Sequence, residues 1–393
     1  MKTLIKNVQI YMNAQKIETG YLLIEEDVIA EIGPMEKCPT VPDSYTSIEL
    51  SNKYKLIPGF IDLHIHGAAG ADTMDGTKEA LETMAIALPK EGTTSFLATT
   101  MTTAQSDIER ALKNAASYMN EHNEKGKAEV IGVHLEGPFI SPKRIGAQHP
   151  DHVILPSVEL FRNWQEIAEG HIKLVTMAPE QPNGLELVRY LRKEGVVASI
   201  GHSDATYEQV IQSIEAGVNH ATHLFNQMRP LHHREPGVVG AALLHDEIKC
   251  EIIADGIHVR PEMVRLAFKN KGKDGMILIT DAMRAKCLGE GMYDLGGQAV
   301  TVKNQKATLE DGTLAGSIIK LKDAAKNMQA FTDCGLEAVI QMASANPAKQ
   351  LNIYDRKGSI ERGKDADLVV LDENDDVCMT FCRGRIAYST LEG

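Results

Sequence analysis

Apolar and polar positions along the chain follow two rhythms. Near the start, TLIKNVQIY and YLLIEEDVIAEIG are rich in β-branched residues and broken by polar turns, which predicts short strands. The closing stretch GSIERGKDADLVVLDENDDVCMTFCRGRIAYS reads the same way. Between these ends, short apolar runs alternate with amphipathic segments. The runs are LIPGFIDLHIH, TTSFLATT, EVIGVHLE, IKLVTMAP, VVASIGH, VNHATHLF, EIIADGIH and MILITDAM. The intervening segments include TKEALETMAIALPKEG, QSDIERALKNAASYMNEH, LELVRYLRKEG, TYEQVIQSIEAG and PEMVRLAFKNKG, and several close on Gly, as helix C-termini do. Strand–helix units in this number predict an α/β fold whose parallel strands close into a (β/α)8 TIM-like barrel. A doubly wound open sheet is the alternative, but no Gly-rich dinucleotide fingerprint follows any run. The expected division is a small β-sandwich domain built from both termini, 1–55 plus 347–393, with the barrel, 56–346, inserted between them.

Length and charge narrow the picture. The chain has 393 residues, more than one compact core usually holds. Its net charge is −13 and no Lys/Arg cluster stands out, which argues against nucleic acid or an anionic membrane as partner. No stretch has the length and apolarity of a membrane span. MKTLIKNVQIYMNAQ lacks the continuous apolar core of a signal peptide. The six cysteines form no CxxC pair, as expected for packing thiols in a reducing cytoplasm.

In a (β/α)8 barrel, functional side chains collect at the C-terminal ends of the strands. The first run ends in His64-Ile65-His66, whose imidazoles share a face because strand side chains alternate. The third ends in His134-Leu135-Glu136, the fifth in Gly201-His202-Ser203-Asp204, and the sixth carries His220 and His223. The seventh ends in Asp255-Gly256-Ile257-His258 and the eighth in Thr280-Asp281. Each alone is more often a satisfied polar residue than a ligand. Their coincidence at one end of six strands points to a divalent metal site. Glu136, His202 and His223 make a carboxylate-plus-two-imidazole set, and His64 and His66 are placed for a second ion. Asp281, alone at the last strand end, is placed as the acid/base beside it. His220 is expected to pack rather than ligate. Arg234, in the polar segment LFNQMRPLHHREPG, is a candidate anion clamp because its planar fork matches phosphate.

The strings PGFIDLHIHG, HLEGPFI, GHSDA, HATHLFNQM, ADGIHV, TDAM and DGTLAGS run in order through nearly the whole chain. They resemble the N-acetylglucosamine-6-phosphate deacetylase branch of the amidohydrolase superfamily. The resemblance implies hydrolysis of N-acetylglucosamine 6-phosphate to glucosamine 6-phosphate and acetate by a cytoplasmic homodimer. It implies one or two divalent ions (Zn, Fe, Mn or Co) per subunit, the primary one on Glu136, His202 and His223. It also implies that Asp281 is the catalytic acid/base. Asn226, Gln227, Arg234 and His258 would hold the substrate phosphate, Arg234 or His258 reaching in from the partner subunit. Ala147 and Leu314-Ala315-Gly316 would line the sugar and acetyl pocket. Many members carry His after the Gly-Ala that follows the Glu136 strand. Here the order is Gly146-Ala147-Gln148-His149, so either Gln148 or His149 takes that place.

Other readings are a cyclic-amide hydrolase or a deaminase of the same fold, a catalytically dead scaffold, and a sugar-phosphate binding protein. Cyclic-amide hydrolases commonly use a carboxylated Lys from the fourth strand, and IKLVTMAPE ends without one. A dead scaffold would have lost ligands that this chain keeps.

Overall fold

The structure is a computed structural model that describes residues 2–12 and 15–391. Each apolar run contributes one strand to a single parallel sheet, paired in chain order: β1 (Phe60–Ile65), β2 (Thr93–Thr99), β3 (Glu129–Glu136), β4 (Ile172–Met177), β5 (Val197–Ile200), β6 (His220–Ala221), β7 (Lys249–Ile253) and β8 (Met276–Ile279). β8 returns to β1 just beyond the regular pairing. There the Asp281 N–H donates to the His64 carbonyl at 2.8 Å and the His66 N–H to the Ala282 carbonyl at 2.9 Å. One layer lower, the Asp62 carboxylate accepts from the Thr280 hydroxyl at 2.6 Å and the Thr280 N–H at 3.3 Å. A side chain thus completes the seam where backbone pairing is sparse. The sheet closes as the alternation of strands and helices predicts.

Ile61, Leu63, Leu97, Ile131, Leu174, Val197, Ile253, Ile277 and Ile279 meet in the barrel interior, joined from below by Ala348 and Leu351. The amphipathic segments form the outer ring, including Lys78–Ala87, Gln105–Glu121, Gly184–Lys193, Tyr207–Ala216 and Pro261–Gly275. Two further helices carried weaker signals. Val158–Ile167 starts at Ser157, whose hydroxyl accepts from the Leu160 N–H at 3.2 Å. Gly237–Leu244 is buried on nearly every side, so GVVGAALL offers no polar face from which to read a helical period.

The terminal strands form one hydrogen-bonded sheet that folds over its own core. Lys2–Tyr11 pairs with Lys16–Glu25, Thr46–Glu49 and Lys55–Pro58, and Lys55–Pro58 pairs in turn with Leu368–Leu371 from the C-terminal side. Alternation sorts its faces. Leu22 and Ile24 point into a core shared with Ile5, Val370 and Phe381, whereas Tyr21 and Leu23 join Leu4 on the opposite face. A three-stranded antiparallel sheet, Gly291–Leu295, Gln298–Lys303 and Lys306–Thr308, follows β8. It was not among the expected elements. Its strands are brief, and the outward positions of Gln298–Lys303 are exposed, which leaves little apolar signal.

Candidate metal centre and substrate cavity

Two register shifts set the inward faces of the strands that carry the site. β1 shifts against β2 between Asp62 and Ile65, and β3 shifts against β2 between Val130 and Gly132. Such bulges re-aim the residues beyond them. After Ile61 and Leu63 in the interior, His64 and His66 also turn inward; after Ile131, so do His134 and Glu136. Three other site residues stand where the backbone has just left the strand with positive φ: His202 (46°), His223 (32°) and Asp281 (48°). Left-handed backbone at a non-glycine residue costs of order 1–3 kcal/mol and persists where the surroundings enforce it, commonly at functional sites. The turn at His223 also explains why β6 has only two residues in extended form.

Two groups of ligand-type side chains face each other. In the first, His223 Nε2 lies 3.2 Å from Glu136 Oε1 and 3.1 Å from His202 Nε2, and His202 Nε2 lies 3.4 Å from Glu136 Oε1. In the second, Asp281 Oδ1 lies 3.4 Å from His64 Nε2 and 3.3 Å from His66 Nε2. Glu136 spans both, with Oε1 3.3 Å from His64 Nε2 and Oε2 3.2 Å from His66 Nε2.

The donor set fits a divalent ion. Ligand atoms about 2.1 Å from one tetrahedral ion stand roughly 3.4 Å apart, close to the edges of the first triangle. The His202 Nδ1–H donates to the Arg144 carbonyl at 2.8 Å, which leaves the Nε2 lone pair facing its neighbours. His64 Nε2 is buried without a hydrogen-bond partner between two carboxylates. Charge tells the same story. Burial opposes ionisation of Glu136, but His64 and hydrogen bonds from His202 and His223 outweigh it and hold the carboxyl well below its usual range. His66 is opposed by burial and pushed up to about 9 by Asp281 and Glu136. The centre gathers ionised carboxylates around a point that needs positive charge.

A cavity of about 320 Å³ opens above this centre, with His66, Glu136, His202, His223 and Asp281 in its walls. Ala147, Asn226, Gln227, His258, Leu314 and Gly316 also line it, whereas Ala315 is fully buried behind them. Loops are tied down around it. Asp204 accepts from Arg144 at 2.8 Å and from Arg229 at 2.9 Å, joining the segments after β3, β5 and β6. Gln298 of the antiparallel sheet donates to the Ala147 carbonyl at 2.6 Å, and Leu295 from the same sheet reaches the cavity wall. His258 is anchored by Asp255, whose Oδ2 accepts from Nδ1 at 2.6 Å.

Gln148, not His149, faces the centre. Its amide Nε2 donates to Glu136 Oε2 at 2.8 Å, and its Oε1 accepts from the Thr102 N–H at 2.7 Å. The His149 ring turns away and accepts from the Asp151 N–H at 3.3 Å. Arg234 lies outside the cavity walls, exposed, with Nη1 2.8 Å from His233 Nε2. His220 is fully buried and pairs with Glu251 at 3.0 Å, in keeping with a packing role.

Two buried residues near the centre have no role assigned from the sequence. His134 is deeply buried with Nε2 2.7 Å from the Thr176 hydroxyl, and burial drives it well below its usual pKa, to the neutral form. Glu251 lies behind His64, His220 and His223. Its signal in the sequence was a carboxylate at the head of the apolar run EIIADGIH.

A model of the amidohydrolase family matches residues 56–387 of this chain. The chain is 48% identical over 390 residues to N-acetylglucosamine-6-phosphate deacetylase of Bacillus subtilis (strain 168), covering 99% of this chain and 98% of that one. A crystal structure of N-acetylglucosamine-6-phosphate deacetylase from Thermotoga maritima aligns with TM-score 0.88 at 36% identity, covering 98% and 100% of the two chains. The Mycobacterium smegmatis enzyme, solved as a D267A mutant in complex with N-acetyl-D-glucosamine-6-phosphate, aligns with TM-score 0.91 at 28% identity over 99% and 100%.

Proposed function

The chain belongs to the amidohydrolase family, and from that premise we propose that it hydrolyses the acetamido group of N-acetylglucosamine 6-phosphate to glucosamine 6-phosphate and acetate. The observation that carries this reading is the joint placement of Glu136, His202, His223 and Asp281 in the wall of one cavity. Glu136, His202 and His223 would hold the primary divalent ion, and His64 with His66 a second one. Zn, Fe, Mn and Co all suit such donors. The ion supplies Lewis acidity toward the acetamido carbonyl and the attacking water.

The residues of the chain do the rest. Asp281 accepts a proton from the attacking water as the new C–O bond forms. It then delivers that proton to the nitrogen as the C–N bond breaks, releasing amine and acetate. Its carboxyl is held in the ionised form a base starts from: burial opposes its charge, but His64 and the His66 hydrogen bond hold it below its usual pKa. The Gln148 amide keeps one Glu136 oxygen oriented. Asn226, Gln227 and His258 are the groups we assign to the phosphate; Ala147, Leu314, Ala315 and Gly316 we assign to the sugar and acetyl pocket.

Arg234 stands outside its own cavity, exposed beside Leu231, itself 54% exposed. This supports a homodimer in which that loop completes the partner's phosphate site. No helix among the described residues is long and apolar enough to cross a membrane. We divide the chain into 1–55 plus 347–393 and the barrel 56–346, with the strand Lys55–Pro58 at the seam.

The test is acetate release from N-acetylglucosamine 6-phosphate with and without chelator. Release that chelation stops and a divalent ion restores is expected. Absence of release from ion-loaded protein would refute the assignment. Arg234→Ala should raise KM for the phosphorylated sugar far more than for N-acetylglucosamine; equal effects would remove Arg234 from the phosphate site.

A further inference from the structure

Behind the ligand side chains sits one ionisable group that the proposed chemistry does not use. Glu251 lies in the middle of β7, fully buried. Its Oε2 accepts from His64 Nδ1 at 3.0 Å and from the His223 N–H at 3.1 Å, and its Oε1 lies 3.0 Å from His220 Nε2. The carboxylate therefore touches one imidazole from each of the two ligand-type groups, or the backbone that carries it. It is not in the wall of the cavity above the centre.

An imidazole that ligates through Nε2 must carry its proton on Nδ1, and an acceptor at Nδ1 holds it there. Among the described residues, Glu251 is the hydrogen-bond partner of that atom of His64. His64 Nε2, the atom aimed at Glu136 and Asp281, is buried without a hydrogen-bond partner. The same oxygen of Glu251 steadies the backbone of His223, which is held at the strained φ of 32°. We infer that Glu251 is a positioning residue that makes His64 a competent ligand, so that capacity for a second ion rests on this carboxylate as well as on the His64–His66 pair. The inference rests on the two-ion reading of the centre given above.

Glu251→Leu keeps most of the side chain's bulk and removes the acceptor from His64 Nδ1. Glu251→Gln is the matched control: its amide oxygen can take the place of Oε2, accepting from His64 and the His223 N–H, with the NH₂ toward His220. Metal-free protein is titrated with Co²⁺, and bound ions per chain are counted by absorbance and by metal analysis. Wild type and Glu251→Gln should bind two ions and Glu251→Leu one, with the remaining affinity reduced by no more than about 10–100-fold, as is usual when a partner of a ligand is lost. His220→Gln, which disturbs the same buried cluster without touching His64 Nδ1, should keep two. Two ions bound by Glu251→Leu with wild-type affinity would overturn the inference, as would loss of one ion in His220→Gln. One ion in the wild type would instead overturn the two-ion reading, and the inference with it. Nitrogen NMR of the imidazoles in zinc-loaded wild type gives a check that needs no Glu251 variant. His64 should bear its proton on Nδ1, and a proton on Nε2 would refute the assignment.

Discussion

Glu129 and Glu136 occupy the two ends of β3, both are buried, and each belongs to a group of side chains whose ligand atoms lie close enough to hold an ion. The similarity ends there. At the Glu129 end, with Asp365 and Asp367, the centre is already filled. The buried Lys357 ammonium lies 2.7 Å from Glu129 and 3.0 Å from Asp365 and also pairs with Asp367, while Arg356 makes a two-pronged contact with Glu129 at 3.0 and 3.1 Å. At the Glu136 end no Lys or Arg among the described residues lines the centre, and imidazole nitrogens converge instead. A carboxylate cluster that carries its own cation joins the barrel to the terminal sheet. One that lacks a cation is built to receive one.

The contrast can be tested by paired substitutions. The largest effect is expected from Asp281→Asn, which should lower kcat by roughly 10³-fold or more while the bound metal stays. Near-normal turnover would remove Asp281 as the base. Glu136→Gln should empty the primary site in metal analysis and leave Tm within a few degrees of wild type. Glu129→Gln should do the reverse. It keeps metal and kcat and costs about 1–3 kcal/mol in denaturant unfolding, because the buried Lys357 loses one of its three carboxylate partners. If Glu129→Gln lost metal, or Glu136→Gln lost only stability, the distinction between the two ends would fail.

A subtler difference concerns acid. Burial opposes the charge on Glu129, but Lys357 and Arg356 outweigh it and lower its pKa to about 2. A depressed carboxyl contributes stability that is full above its unfolded pKa and is lost as pH falls through the folded one. The window here runs from about 4.5 down to about 2, and the contribution is on the order of 3 kcal/mol. The loss of wild-type stability over that window should shrink in Glu129→Gln; an unchanged slope in acid unfolding would refute the linkage. The smallest effect is expected from Gln148→Ala, about 10-fold in metal affinity, since Glu136 keeps its imidazole neighbours but loses the amide that orients one oxygen. Substituting His149, which faces away, should leave affinity unchanged.

The amino-acid sequence by itself determined the number and order of the barrel strands, the strand ends that carry chemistry, and the residue types gathered there. These follow from local causes. Side-chain alternation, helical period and the preference of imidazole and carboxylate for divalent ions act within a few residues. The tertiary structure decided what depends on closure. It turned Gln148 inward and His149 outward, and it set Arg234 outside its own cavity. It also joined Asp62 to Thr280 across the seam and put Glu251, from the strand Lys249–Ile253, behind His64 and His223. Each of these is a distance between segments far apart in the chain. Register shifts and loop ties fix such distances, and no local periodicity encodes them.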